Sequence, residues 1–155
     1  MSDILRVGVL GSGLMGGGIA QVAAVAGYDT VVRDVTQPIL DKAKAGIDKS
    51  LAKFVEKGKL PAADRDSALK RLSFTTATAD LKSCDIVVEA VTEDLEVKNA
   101  LWKELDTLCG TGTIFASNTS SLTIAAMAAA TKRPDRFVGL HFFNPVPLMQ
   151  LVEVV

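Results

Sequence analysis

Three residues separate the apolar run Val7-Gly8-Val9-Leu10 from a helix-like segment opening at Leu14, and two of the three are glycine. A strand that must turn into a helix in so short a space needs a residue free to adopt positive φ. Gly11-Ser12-Gly13-Leu14-Met15-Gly16 places glycine at the first, third and sixth positions. In this setting the first glycine permits the tight turn, the second leaves the backbone open to a pyrophosphate, and the third lets helix and strand pack closely. Free N–H groups at the helix start then suit an anion. The plain alternative is a tight turn that holds no ligand.

The rest of the chain repeats the same alternation of short β-branched runs and longer segments of helical period, the pattern of an α/β fold with a parallel sheet. Strands are expected at Arg6–Leu10, Asp29–Asp34, Arg71–Thr75, Ile86–Ala90, Thr113–Ser117 and Phe137–His141, and helices near 14–26, 38–57, 62–70, 95–108 and 122–130. Continuous apolar runs such as Ile86-Val87-Val88 suit strands covered on both faces. The expected architecture is a Rossmann-type doubly wound, mostly parallel sheet, interrupted at about 38–70 by two helices joined at Gly58-Lys59-Leu60-Pro61. Leu40, Ile47, Leu51, Phe54 and Val55 fall on one face of the first of these helices, and Lys49, Lys53 and Lys57 on another. A helical hairpin of this kind is expected to project from the sheet.

Apolar residues make up 48% of the 155 and charged residues 23%, enough for a real core and inconsistent with a disordered chain. The 17 Lys and Arg against 18 Asp and Glu leave a net charge of −1, which removes the simplest case for a nucleic-acid or polybasic membrane partner. Cys84 and Cys109 have no metal-ligand spacing, no metal site is expected, and the two read as reduced thiols. No apolar run approaches the length of a membrane span and the start lacks a signal layout, so a cytoplasmic protein is expected. Leu151-Val152-Glu153-Val154-Val155 is strand-like and apolar, and an unprotected edge of that kind invites pairing. This end is expected to be covered by a further domain or subunit, the chain being a fragment in the former case.

Asp34 ends the second strand, 18 residues after Gly16, where a carboxylate can accept the ribose hydroxyls of an adenosine and repel a 2′-phosphate. NAD is thereby favoured over NADP. Arg33 would favour the phosphate, but strand alternation turns it the other way. His141, the one histidine, closes the sixth strand at the carboxyl edge of the sheet, where ligands of such folds bind. The turn Phe142-Phe143-Asn144-Pro145-Val146-Pro147 and a returning strand can bring Glu153 beside it, to fix the imidazole tautomer and stabilise the imidazolium. The bland alternative is a structural histidine with a surface glutamate. Ser117-Asn118-Thr119-Ser120-Ser121 follows the fifth strand, able to contact a ligand, to cap the helix near Leu122, or both. Glu89, Glu93 and Lys98 stand around the fourth strand's end and read, on spacing alone, as a charged helix start.

Four blocks together resemble one family. They are Gly11 to Ala20, Glu89-Ala90-Val91-Thr92-Glu93, Ser117-Asn118-Thr119-Ser120-Ser121, and Gly139-Leu140-His141-Phe142-Phe143-Asn144-Pro145-Val146-Pro147-Leu148-Met149. The chain resembles the N-terminal, NAD-binding domain of 3-hydroxyacyl-CoA dehydrogenases, most of all the bacterial 3-hydroxybutyryl-CoA dehydrogenases, over essentially all of its length. The resemblance implies one NAD-binding domain over 1–155, with the family's helical C-terminal dimerisation domain absent from the chain. It implies NAD as cofactor, held by Gly11, Gly13, Leu14, Met15, Gly16, Asp34, Glu93, Lys98, Asn118 and Asn144. It implies His141 as the catalytic base, Glu153 as its partner carboxylate and Ser120 as the hydrogen-bond donor to the substrate's 3-oxygen. Ser50, Lys57, Lys98 and Ser120 then contact the acyl-CoA substrate, and Lys49 and Lys53 are either further partners for its anionic end or a solvated face.

The activity so implied is reversible, NAD-dependent oxidation of an L-3-hydroxyacyl-CoA to the 3-ketoacyl-CoA, by a homodimer when full length. Two alternatives stand beside it: an NAD-binding module without turnover of its own, and a β-hydroxyacid dehydrogenase acting on a free acid.

Overall fold

The computed structural model describes residues 3–155. Its sheet has seven strands. The chain passes through β1 (Arg6–Leu10), α1 (Leu14–Val25), β2 (Asp29–Arg33), α2 (Gln37–Glu56), α3 (Ala62–Arg71), β3 (Leu72–Thr75), β4 (Ile86–Glu89), α4 (Leu95–Leu108), β5 (Ile114–Ser117), α5 (Ile124–Ala129), β6 (Phe137–Phe142) and β7 (Val152–Val154). Two short 3-10 turns, Thr78–Leu81 and Pro134–Arg136, have no counterpart in the sequence pattern, because three or four residues are too few to show a period.

The strand order is β3-β2-β1-β4-β5-β6-β7, with β7 antiparallel to β6 and all other pairs parallel. The chain winds outward from β1 to β3 on one side, then crosses back to β4 on the other. That reversal opens a crevice at the carboxyl ends of β1 and β4, the place where ligands of open α/β sheets bind. Neighbouring strand residues serve opposite faces, as the period of two requires. Val9, Val32, Val88 and Ala116 pack with Ile19, Ala20, Leu40 and Leu51 on the face of α1 and α2. Leu10, Val31, Val87 and Phe115 pack with Trp102, Leu105 and Met127 on the face of α4 and α5. Trp102 lies between Phe115 and Phe137, its ring 5.0 Å and 4.8 Å from theirs.

The hairpin expected at 38–70 is α2 and α3. Gly58, at φ +69, ends α2 in a double carbonyl cap: its N–H donates to Val55 O and the Lys59 N–H donates to Phe54 O. Leu40, Ile47 and Leu51 are buried against the core, which seats the hairpin on α1. At 20 residues α2 is about 30 Å long, whereas a five-residue strand spans about 17 Å, so the helix outruns the sheet it packs on. Phe54 and Val55 are only half-buried, and Phe54 instead lines a groove described below.

The helix expected from Leu122 starts at Ile124. Its N-cap residue, Thr123, makes no side-chain capping bond. The serine-rich segment makes no side-chain cap of α5; its Thr119 and Ser121 hydroxyls are turned to Glu93 and that of Ser117 to Glu89.

Candidate active site

The loop from β1 to α1 shows what each glycine is for. Gly11 has φ +89, its N–H donates to Arg33 O at 2.9 Å, and a Cβ there would stand 2.6 Å from Ala90 O. A Cβ at Gly16 would overlap the Gly11 carbonyl oxygen. Gly13 has nothing within 4 Å of the Cβ position. Two glycines thus close the turn and the middle one borders open space. The helical bonding of α1 begins with Gly17 N–H donating to Gly13 O, so the N–H groups of Leu14, Met15 and Gly16 in its first turn are left to an outside acceptor. No acidic side chain lies in the first turn to compete for them.

Asp34 stands just beyond β2, beside this loop. Its Oδ2 accepts from the Ser12 N–H at 2.8 Å and the Ser12 hydroxyl at 2.7 Å, and its Oδ1 from the Val35 N–H at 2.7 Å. Burial pushes the Asp34 carboxyl upward, but the bonds from Ser12 and Val35 and the neighbouring Arg33 charge outweigh it. The group titrates below the usual aspartate range. Ser12 was not singled out by the sequence. The signal was present in principle, because parallel pairing sets Leu10 against Arg33 and so brings the Gly11–Ser12 turn alongside Asp34. Arg33 turns away, its Nε donating to Thr76 O at 3.4 Å.

A depression of about 350 Å³ lies at the carboxyl ends of β4, β5 and β6, lined by Met15, Glu93, Asn118, Ser120, His141 and Asn144 among others. His141 and Glu153 are directly opposed on β6 and β7, with Nδ1 3.4 Å from Oε1. Phe143 packs against the imidazole, ring centroids 4.6 Å apart. With Nδ1 turned to the carboxylate, Nε2 is the nitrogen left for the depression. Asn118 Oδ1 accepts from the Phe142 N–H at 2.9 Å, which leaves its NH₂ as the donor toward the cleft.

Beneath this depression lies a charged cluster whose closure the spacing did not reveal. Glu89 and Lys98 both have 0% side-chain exposure, with Lys98 Nζ 2.6 Å from Glu89 Oε2 and 2.9 Å from Glu93 Oε1. The other Glu89 oxygen accepts from the Ser117 hydroxyl at 2.6 Å, and Oε2 also accepts from the Val91 N–H at 2.8 Å. Burial acts to raise the Glu93 carboxyl, but bonds from Thr119, Lys98 and Ser121 bring it below the usual glutamate range. Lys98 was expected to contact cofactor and substrate itself. In the structure its ammonium has no surface, because two carboxylates enclose it, and it reaches the cleft only through Glu93. The N-cap of α4 is Asp94, which accepts from the Glu96 and Val97 N–H groups.

A second depression of about 740 Å³ runs from the glycine loop along α2, between Gly13, Leu14, Ser50, Phe54, Lys57 and Leu148. Ser50 Oγ accepts from Gln21 Nε2 at 3.0 Å, which ties α2 to α1. Lys42, Lys53 and Lys59 also border this groove; Lys49 does not. Apolar walls with lysines along the rim suit a long ligand with an anionic end.

Neither thiol belongs to this chemistry. Burial pushes Cys84 up to about 11 and raises Cys109 as well. Among the described residues, no group of three His, Cys, Asp or Glu could hold a metal ion, and no helix is long and apolar enough to cross a membrane.

The profile described as "3-hydroxyacyl-CoA dehydrogenase, NAD binding domain" matches residues 6–155, which include every residue named in both depressions. The chain belongs to the 3-hydroxyacyl-CoA dehydrogenase family. It is 53% identical over 151 residues to a probable 3-hydroxybutyryl-CoA dehydrogenase of Deinococcus radiodurans, covering 97% of this chain and 54% of that protein. It is 51% identical over 158 residues to the human mitochondrial hydroxyacyl-coenzyme A dehydrogenase, covering 98% of this chain and 50% of that one. The crystal structure of (S)-3-hydroxybutyryl-CoA dehydrogenase PaaH1 from Ralstonia eutropha superposes with a TM-score of 0.95 at 47% identity, over 98% of this chain and 54% of that one. The chain thus spans about half the length of these family members, and the Rossmann-type sheet expected from its sequence is the fold they share.

Proposed function

We propose that the chain is the cofactor-holding, base-bearing part of an NAD-dependent L-3-hydroxyacyl-CoA dehydrogenase. The observation that carries this is the His141–Glu153 pair, set in one depression with Ser120 and Asn118 and adjoining a glycine loop open at Gly13. The residues fit NAD. Gly13 leaves room for a pyrophosphate, the first turn of α1 supplies unpaired N–H groups, and the ionised Asp34 suits ribose hydroxyls rather than a 2′-phosphate. NAD, when bound, supplies the acceptor for the hydride that leaves C3 of the substrate.

The protein's own part is proton handling and orientation. Nδ1–H of His141 donates to Glu153, so Nε2 is the lone pair that takes the hydroxyl proton from the 3-position. Glu153 then stabilises the imidazolium, and the same proton returns when the 3-keto group is reduced. Ser120, exposed at the edge of the depression, donates to the 3-oxygen, and the free Asn118 NH₂ is a second donor beside it. Ser50 and Lys57 hold coenzyme A along the groove under α2, with Lys53 and the other rim lysines favouring its phosphates. The whole enzyme is a homodimer of the cytoplasm in this reading, a reducing setting that accords with two buried free thiols.

The test is a fluorescence titration of NADH against the chain, with NADPH as comparison and acetoacetyl-CoA added afterwards. Saturable NADH binding, weaker NADPH binding and a further change with acetoacetyl-CoA are expected. NADH binding with no response to acetoacetyl-CoA would leave a cofactor-binding module. A response to free 3-hydroxybutyrate in place of the thioester would favour a β-hydroxyacid dehydrogenase.

A further inference from the structure

Ser120 makes its contact from the six-residue link 118–123 between β5 and α5, and a link of that kind needs something to fix it. The two residues flanking it are both held by one atom. Glu93 Oε2 accepts from the Thr119 hydroxyl at 2.6 Å and from the Ser121 hydroxyl at 3.0 Å. Glu93 Oε1 is held in turn by Lys98 Nζ at 2.9 Å, and Lys98 is locked against Glu89, which also holds Ser117. We infer that Glu93 is a positioning residue for Ser120: it clamps the loop on both sides of the serine, and the buried Glu89–Lys98 pair sets where the clamp stands. The inference rests on the assignment of Ser120 to the substrate oxygen.

Thr119 shows why the charge matters. Its hydroxyl oxygen accepts from the Ser121 N–H at 3.3 Å and the Leu122 N–H at 3.0 Å, so both lone pairs are used and its proton must be donated outward. Glu93 is the acceptor for that proton. A glutamine at 93 would turn its carbonyl to Lys98 and present an NH₂ to a hydroxyl that can accept nothing more. Glu93→Gln therefore keeps the size of the side chain and breaks the clamp. The geometry also joins two loops that are far apart in sequence: the β4–α4 link carries Glu93 and the β5–α5 link carries Ser120, and Glu89 and Ser117 are paired in register at the strand ends below them.

A double-mutant cycle separates this role from a direct cofactor contact. In acetoacetyl-CoA reduction at saturating NADH, Glu93→Gln is expected to lower kcat about tenfold, the scale of losing a hydrogen bond to a charged group. In a Ser120→Ala background the same change should cost less than about twofold, because the clamp then has nothing to position. Independent multiplication of the two losses would overturn the inference. So would a Glu93→Gln enzyme whose only defect is weaker NADH binding. Amide hydrogen exchange reads the clamp without turnover: the Thr119, Ser121 and Leu122 amides should exchange about tenfold faster in Glu93→Gln, with those of β1 and β6 unchanged. Unchanged exchange at these three amides would sink the clamp even if activity fell. A wild-type protein that exchanges as expected but never reduces acetoacetyl-CoA counts against the dehydrogenase reading and not against the clamp. Should Glu93→Gln fail to fold, Ser121→Ala removes one arm alone and is expected to show the same exchange pattern at about two- to threefold.

Discussion

His141 and Glu153 sit directly opposite each other on antiparallel strands, so their side chains leave the sheet on the same face, with Nδ1 3.4 Å from Oε1. The histidine is 25% exposed and the glutamate 53%. His141 lines the depression together with Phe143, whose ring packs against the imidazole. Replacing His141 by alanine removes the proposed proton acceptor and leaves the glycine loop untouched. Turnover by a protein containing this chain is expected to fall at least about 10²-fold, the lower range for general-base catalysis, with NADH affinity within about twofold of wild type. Steady-state kinetics and an NADH titration on the same preparation check both parts. An equal loss of NADH binding would mean that the site had collapsed and that the base assignment is unsupported.

Asp34, proposed to set cofactor choice, also bears on acid stability. Its folded-state carboxyl lies below the ordinary aspartate range because the bonds from Ser12 and Val35 and the Arg33 charge outweigh burial. A group so depressed contributes stability that is complete above its unfolded value and is lost as pH falls through the folded value. Asp85, Glu93 and Asp106 are lowered as well, so their contributions fade in the same direction. The urea midpoint is expected to hold from pH 7 to about pH 5 and to fall steeply below about pH 4, where carboxylates take up protons. Asp34→Asn should flatten part of that fall. It should also narrow the preference for NADH over NADPH by about tenfold or more, since it removes the charge that opposes a 2′-phosphate. A preference that survives Asp34→Asn would assign the discrimination to another residue.

These two sites differ in how far they could be read from the sequence. The strand ahead of the glycine loop, the apolar runs of β4 and β5 and the helical spacing of α2 are periodic over enough residues to be recognised, and their alternation points to a mostly parallel α/β sheet. Glu153 was within reach because the segment 143–151, with two prolines, turns the chain back after His141 and a strand-like run follows it. Ser12 was missed because its partner is 22 residues away and meets it only through the pairing of β1 with β2. Glu89 and Lys98 stand out in the sequence, but their burial as a pair does not, for a different reason. Their residue types are nearly always at the surface, and only the folded chain shows that this pair is buried. Lysine, glutamate and serine letters carry no record of which of them will be enclosed.

Arg133 is a further buried charge, far from the chemistry. Its Nε donates to Asp106 Oδ1 at 2.7 Å, its Nη atoms donate to the carbonyls of Gly110, Thr113, Asp106 and Cys109, and its guanidinium lies 4.4 Å from the Phe115 ring centroid. These partners gather at the end of the sheet where β5 begins, opposite the carboxyl edge. Arg133→Met leaves Asp106 Oδ1 and four carbonyls without their Arg133 donor and is expected to cost about 3–5 kcal/mol of stability, the range for breaking a buried pair from one side. Lysine is not a substitute, because a single ammonium cannot reproduce the planar fork. Urea unfolding should show a lowered midpoint with an unchanged slope, and the NADH affinity of the folded fraction should be unchanged. A shift below about 1 kcal/mol would show that the network is worth little more than an exposed pair.

Gly13 and Gly16 separate binding from folding within one loop. A methyl at Gly13 meets nothing within 4 Å, whereas a methyl at Gly16 overlaps the Gly11 carbonyl oxygen, which is backbone and cannot swing aside. Gly13→Ala is therefore expected to fold with a melting temperature close to wild type and yet bind NADH at least about tenfold more weakly, because the added group occupies the approach to the first turn of α1. Gly16→Ala must push α1 away from β1, where Ile19 and Ala20 are packed against Val9, and should lower stability before any ligand is considered. Thermal melts and NADH titrations of the two variants, compared with wild type, give the result in one experiment. If Gly13→Ala binds NADH normally, the open space beside Gly13 is not where the pyrophosphate lies. The phosphate site would then have to be sought along the groove under α2, where the lysines are.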